Sequence, residues 1–240
     1  MGLFDMFGKS SKTGRHVARL TNAHTQTQDR MRAMEVLAEM GTPEALAGVL
    51  QRFTYRVEAS IHDNDEKEYA CQLLIDAGPK AIEPIKAFVE VNDAVYWPLR
   101  ALRDIAGTES AVGLLLEALD RSLAREGRQN DQKVQLVANL RDFKHPRVQA
   151  RLLDLVRDRD EEVRILAIDA LITYGEEVAL GPAVERALDP EESPRVKTVV
   201  IEQLIEHGWP LTEWRERLEV ASALPVPYAL GPDDRIVRET

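Results

Sequence analysis

One motif returns along this chain at intervals that suit a pair of helices. A leucine is followed four residues later by a glycine at Leu37/Gly41, Leu74/Gly78, Leu171/Gly175 and Leu204/Gly208. Leu140/Lys144 keeps the frame without the glycine, and Leu102/Gly107 is one residue longer. The turn positions 41, 78, 107, 144, 175 and 208 stand 37, 29, 37, 31 and 33 residues apart. Periods of this length mark repeat architectures, in which each unit is one supersecondary motif that hides its apolar face only against its neighbours.

Each marker closes an amphipathic stretch. In Asp160–Tyr174, Ile165, Ile168 and Leu171 recur at helical spacing with Ala167 beside them, which gives an apolar stripe. Acidic residues at its start complement the helix dipole, and Gly175 suits the left-handed residue that ends a helix. A second helix follows, with Pro43, Pro84, Pro146, Pro182 and Pro210 assigned to first turns, where the missing N–H has no intrahelical partner to lose. The second stripes are Leu46, Val49, Leu50 and Phe53, then Ile82, Ile85 and Val89, then Val112, Leu115, Leu116 and Leu119. The spacing predicts first helices over 26–40, 63–77, 93–106, 130–143, 160–174 and 194–207. It predicts second helices over 43–56, 79–91, 109–124, 146–157, 177–188 and 211–222.

Gly-Thr-Pro-Glu-Ala-Leu at 41–46, Gly-Pro-Lys-Ala-Ile-Glu-Pro-Ile at 78–85 and Asp-Glu-Glu-Val-Arg at 160–164 resemble HEAT repeats. More narrowly, they resemble the short bacterial type grouped with the HEAT-like repeats of phycobilin lyases. The resemblance spans roughly 26–222 and implies an all-α, right-handed α-solenoid of five to six antiparallel helix pairs. The expected organisation is a capping tail over 1–25, the solenoid over 26–222 and an extended cap over 223–240. No strong break is expected inside the solenoid, and the linker at 124–130 is the favoured hinge.

Composition agrees with a helical core and narrows the function. Aromatics are only 5% of the chain, so the interior falls to Leu, Val, Ile and Ala, which suit helices. The formal charge is −10. Residues 1–24 carry +3, leaving −13 on the remainder. A body this acidic lacks the attraction for phosphate on which nucleic-acid binding rests, so nucleic acid is not an expected partner. Cys71 is the single cysteine and cannot pair internally. No stretch approaches the roughly 20 apolar residues of a membrane span. A bacterial cytoplasmic protein is expected.

The ends differ from the repeats. Leu3, Phe4, Met6 and Phe7 sit beside a basic stretch. That arrangement suits a segment covering the first repeat, with an amphipathic contact of residues 1–19 with a membrane surface or a partner groove as the second reading. Met6 stands where a myristoylation motif needs Ser or Thr. At the other end, Gly231-Pro-Asp-Asp234 is turn chemistry. Tyr228, Ala229 and Leu230 are placed to pair with Ile236 and Val237 as a small hairpin packed on the last repeat.

Chemistry is sparse. Cys71 lies three residues before Leu74, on the apolar side of its helix, where a free cysteine behaves as a small hydrophobe. His62-Asp-Asn-Asp65 reads as helix capping in preference to a metal site. There is no His-Glu dipeptide, which removes the iron-binding hydroxylases built on HEAT-like repeats. Tyr96, Trp97, Arg100 and Asp104 form an aromatic–acidic group similar to that of HEAT-like DNA glycosylases, but the acidic body opposes that use. Pro98 is expected to bend its helix. No phosphate-binding glycine loop occurs. No catalytic residue, metal or cofactor is assigned.

The expected function is a non-catalytic protein–protein interaction scaffold or adaptor, with a lyase-like enzyme subunit as the alternative. Counting around each second helix from its apolar stripe assigns Glu44, Gln51, Tyr55, Lys80, Glu83, Glu117, Arg121, Asp154, Arg157 and Glu185 to the face turned from the core. Glu83, Glu117, Asp154 and Glu185 form an interrupted acidic ladder there, suited to a basic or amphipathic segment of a protein partner. Mixed charges of this kind steer and register a partner more than they add affinity.

Overall fold

Two of the repeated glycines end their helices in the left-handed conformation, whereas Gly175, expected to do the same, has φ 102° and ψ 177° and caps the start of the following helix. Gly41 and Gly208 both adopt φ of 60°, and the N–H of Gly41 reaches back to the carbonyl of Ala38. An l-residue with a side chain is strained in that left-handed conformation, so the chain turns there at little cost only because Cβ is missing. Proline and a hydroxyl start two of the helices. Pro43 and Pro194 are first helical residues, and Thr42 and Ser193 each accept an N–H from the first turn at 3.2 Å.

The computed structural model describes residues 11–22, 24–57, 60–124, 131–220 and 224–239. The chain divides into two compact units, Met1–Leu136 and Val137–Thr240. The division falls inside helix α8 (Asp131–Leu140). Most of the expected hinge at 124–130 lies outside the described residues.

The first unit runs α1 (Lys12–Leu20), α2 (Thr27–Met40), α3 (Pro43–Leu50), α4 (Ser60–Ala77), α5 (Ile82–Val91), α6 (Tyr96–Ala106) and α7 (Thr108–Ala124) before α8. Short 3-10 turns follow α3, over Gln51–Thr54, and precede α5, over Gly78–Ala81. Helix α2 pairs with α3 and α6 with α7, while α4 and α5 are joined through the 3-10 turn at Gly78–Ala81. The first helices pack side by side in the order α2, α4, α6, and the second helices in the order α3, α5, α7. This is the antiparallel stacking of HEAT repeats. The assigned second-helix stripes are buried, among them Leu46, Val49, Ile85, Val89, Val112, Leu115 and Leu119. Helix α1 covers the open side of the first pair by burying Val17 and Leu20 against α2 and α3. Leu3, Phe4, Met6 and Phe7 lie outside the described residues.

The second unit contains α9 (Pro146–Leu155), α10 (Glu161–Ile172), α11 (Glu176–Leu188), α12 (Pro194–His207) and a single-turn α13 (Arg215–Leu218). Helix α10 turns slightly from its expected stripe. Val163, Ala167, Ile168, Ala170 and Leu171 are buried while Ile165 is half-exposed. The last second helix, expected over 211–222, shrinks to a 3-10 turn at Thr212–Trp214 followed by α13.

The expected hairpin forms. β1 (Tyr228–Leu230) pairs antiparallel with β2 (Ile236–Arg238) in the register Tyr228↔Arg238 and Leu230↔Ile236. A two-stranded hairpin needs a surface to lean on, and this one lies on α12. The N–H of Leu211 donates to the carbonyl of Asp234 at 2.7 Å, while Tyr228 and Arg238 both donate to Glu202 on α12.

Two prolines are placed by the helix bounds. Pro98 is the third residue of α6 and lies in the first turn, where its missing N–H has no intrahelical partner to lose. Pro182 stands inside α11, not in its first turn. Gly181 precedes it and lacks the Cβ that would crowd the proline ring in a helical conformation.

Candidate partner-binding surfaces

The second-helix faces hold most of the residues assigned from the sequence, with two corrections. Gln51 is buried, and its side-chain amide donates to the carbonyl of Ala47 at 3.3 Å. Tyr55 is half-buried, donates its hydroxyl to the carbonyl of Leu20 at the end of α1, and has the Arg52 guanidinium 4.6 Å from its ring centre. Both errors have one cause. A count at the α-helical angle runs through residue 56, whereas the chain tightens into a 3-10 turn after Leu50, at three residues per turn. Side chains beyond Leu50 therefore face other directions.

What lies behind that turn is a buried ionic network. Glu66 on α4 accepts from Nε of Arg30 at 2.9 Å and from Nε of Arg52 at 2.8 Å. Arg52 also reaches Asp63 at 2.7 Å, and Lys67 closes on the same carboxylate at 2.7 Å. Asp63 accepts the N–H of Val57 at 3.0 Å. It is therefore more than the cap read into His62–Asp65, because α4 begins at Ser60 and Asp63 is already within it. Burial pushes the Asp63 carboxyl up, but hydrogen bonds from Arg52, Lys67 and Val57 outweigh it and hold it at about 2. These charges are internal struts joining α2, α4 and the 3-10 turn, and are not a surface for a ligand.

The remaining assigned residues lie on or near the surface, and two of the four carboxylates of the acidic ladder, Glu83 and Glu185, are neutralised by neighbours. In the first unit, Glu44, Lys80, Glu83 and Glu117 are exposed. Lys86 pairs with Glu83 at 2.8 Å and also feels the charge of Glu117. Arg121 is half-buried and lies 3.9 Å from Glu90. In the second unit, Asp154, Arg157 and Glu185 are exposed. Arg217 of α13 donates to Glu185 at 2.6 Å and, with Arg186 and Arg157 nearby, holds that carboxyl below its usual range. Glu44, Glu117 and Asp154 have no hydrogen bond or ion pair through their carboxylates among the described residues.

A second feature of the second unit was not found from the sequence. Between α11 and the 3-10 turn at Thr212–Trp214 lies an open recess of about 430 Å³. Leu180, Pro210 and the Trp214 indole supply its apolar surface. Glu176, Glu177 and Glu213 stand around it, all exposed. A Cβ built on Gly181 would stand 4.0 Å from Cζ2 of Trp214, so the glycine leaves this space clear. The available signal was the run Trp209-Pro-Leu-Thr-Glu-Trp214. Assigning 211–222 to a full-length helix hid the return of Trp214 toward α11.

The candidate nucleophile and the aromatic group take plain structural positions. Cys71 is buried, and its thiol donates to the carbonyl of Trp97 at 3.6 Å. Burial pushes that thiol up to about 11. Tyr96 packs edge-on against Trp97, and Arg100 lies over the Trp97 ring while pairing with Glu68 at 3.4 Å. Among the described residues no helix is long and apolar enough to cross a membrane.

Residues 121–205 match the family model of HEAT repeats. That match and the stacked helix pairs define an all-α protein of HEAT-like repeats with a non-helical C-terminal cap. Comparison with curated proteins finds no match.

Proposed function

We propose that the chain is a non-catalytic, cytoplasmic adaptor that holds a protein partner on its second-helix faces. The observation that carries this reading is the state of Glu44, Glu117 and Asp154. Each carboxylate is exposed and, among the described residues, makes no hydrogen bond or ion pair of its own, unlike Glu83 and Glu185 on the same faces. Unpaired charges on rigid helices orient an incoming basic or amphipathic segment and penalise a wrongly signed one. HEAT repeats commonly serve protein interaction, which supports the same reading. A nucleophilic role for Cys71 is opposed by its burial and its raised thiol pKa.

The test is affinity capture by the full chain and by two charge-reversed forms, Glu44→Lys/Glu117→Lys and Asp154→Lys. A protein recovered reproducibly with the wild type should be depleted by at least one of them at low salt. Equal recovery with all three forms removes these faces from consideration.

A further inference from the structure

The surface ion pairs show where positive charge is wanted and not supplied. Glu83 has Lys86, Glu185 has Arg217, and Glu162 has Arg195. Around the Trp214 recess the pattern stops. Glu176, Glu177 and Glu213 have no hydrogen bond or ion pair through their side chains among the described residues. The arginines of the surrounding elements are committed elsewhere: Arg186 to Asp189 and Glu192, Arg215 to Glu219 and Asp234, and Arg217 to Glu185.

The carboxylates alone would be ordinary surface. What distinguishes this place is that they border a recess with an indole and a leucine in it. Trp214 is half-exposed while Leu180 is buried beneath. A small cation is served by carboxylates and gains little from an apolar wall. An acidic or neutral side chain is repelled or unmatched by the rim. The group that uses both halves is a flat cation on an apolar stem. Guanidinium stacks on an aromatic face and also donates in a fork to carboxylates.

We infer that the Trp214 recess receives an arginine side chain from a partner, its guanidinium against the indole and among Glu176, Glu177 and Glu213. The inference rests on the reading of this chain as an interaction protein and names what one point of the partner must present. The recess belongs wholly to the second unit, so it needs no particular arrangement of the first.

The test uses the full-length ¹⁵N-labelled chain and the blocked peptide acetyl-Gly-Ser-Arg-Ser-Gly-amide. The Trp214 indole N–H resonance is assigned by its loss in Trp214→Phe. Titration should move that resonance and the amides at the start of α11. The same peptide with citrulline in place of arginine keeps the shape without the charge. It should bind at least about fivefold more weakly, the scale of one cation–aromatic contact. Glu176→Gln/Glu213→Gln, both exposed positions, should weaken the arginine peptide to a similar degree, while Asp154→Lys should leave its shift unchanged. No shift at the Trp214 indole, or equal shifts with arginine and citrulline, overturns the inference. So does a captured partner lost with Asp154→Lys but fully retained with Glu176→Gln/Glu213→Gln, and in that case the adaptor reading survives.

Discussion

Arg52 and Glu66 meet where neither touches water. Nε of Arg52 donates to Oε2 of Glu66 at 2.8 Å, with both side chains at 0% exposure. Arg30 holds the other side of the same carboxylate, so one anion on α4 ties α2 to the turn that follows α3. A buried pair of this kind is a poor source of net stability, because desolvation offsets most of the attraction. Removing one partner is another matter, since the charge left behind is buried without compensation. Glu66→Ala, which strands two arginines, should cost about 3–5 kcal/mol, read as a lowered midpoint in urea unfolding with an unchanged slope. A loss below 1 kcal/mol, on the order of a surface pair, would show that water reaches the site.

Acid should attack the same network. The folded state holds Asp63 at about 2 and lowers Glu66 as well, because their arginine and lysine partners outweigh the effect of burial. A carboxyl depressed in the folded state binds its proton more tightly when unfolded. Its stabilisation is complete above the unfolded value near 4 and is lost as pH falls toward the folded value. Urea midpoints should therefore hold steady from pH 7 to 5 and fall between about pH 4 and pH 2. Asp63→Asn should flatten that fall. An identical acid dependence in the variant would mean that other carboxyls control it.

Close approach, not charge, holds α1 in place. A Cβ built on Gly48 would fall 2.7 Å from Cγ2 of Val17, and the branched valine has little room to turn aside. Gly48→Ala improves helix propensity by about 0.5–1 kcal/mol yet should still destabilise, by pushing α1 off α3. Hydrogen exchange would report faster opening of the α1 amides. Val17→Ala removes the offending methyls, so the double variant should recover part of the loss. Failure of that rescue would place the conflict elsewhere.

These predictions also divide what sequence can carry from what it cannot. Leu37, Leu46, Leu74 and Leu171 were readable as core because helical spacing is local, and all four are fully buried. The hairpin was readable because Gly231–Asp234 carries its turn chemistry in four consecutive residues. The network of Arg30, Arg52 and Glu66 was not readable, because its partners lie 14 and 36 residues apart and charged residues are ordinarily exposed. Gln51 and Tyr55 were misplaced by a change of helix type that adds about 20° of rotation per residue and leaves no composition signal. The Trp214 recess needed both a helix shortened to one turn and a neighbouring α11, neither of which a periodicity count supplies.

Cys71 gives the last prediction and bears directly on the proposed non-catalytic role. The residue is 2% exposed, and burial pushes the thiol up to about 11. At neutral pH the thiolate fraction would then be about one part in ten thousand, against a few per cent for a free cysteine. Reaction with a thiol-specific disulfide reagent at pH 7.5 should accordingly be slow and limited by opening of the structure. The rate should rise with sub-denaturing urea in step with the loss of stability, and Glu66→Ala should accelerate it by loosening α4. Rapid stoichiometric labelling of the native protein, insensitive to urea, would reveal an accessible thiolate. It would return Cys71 to the candidates for a nucleophile and weaken the adaptor reading.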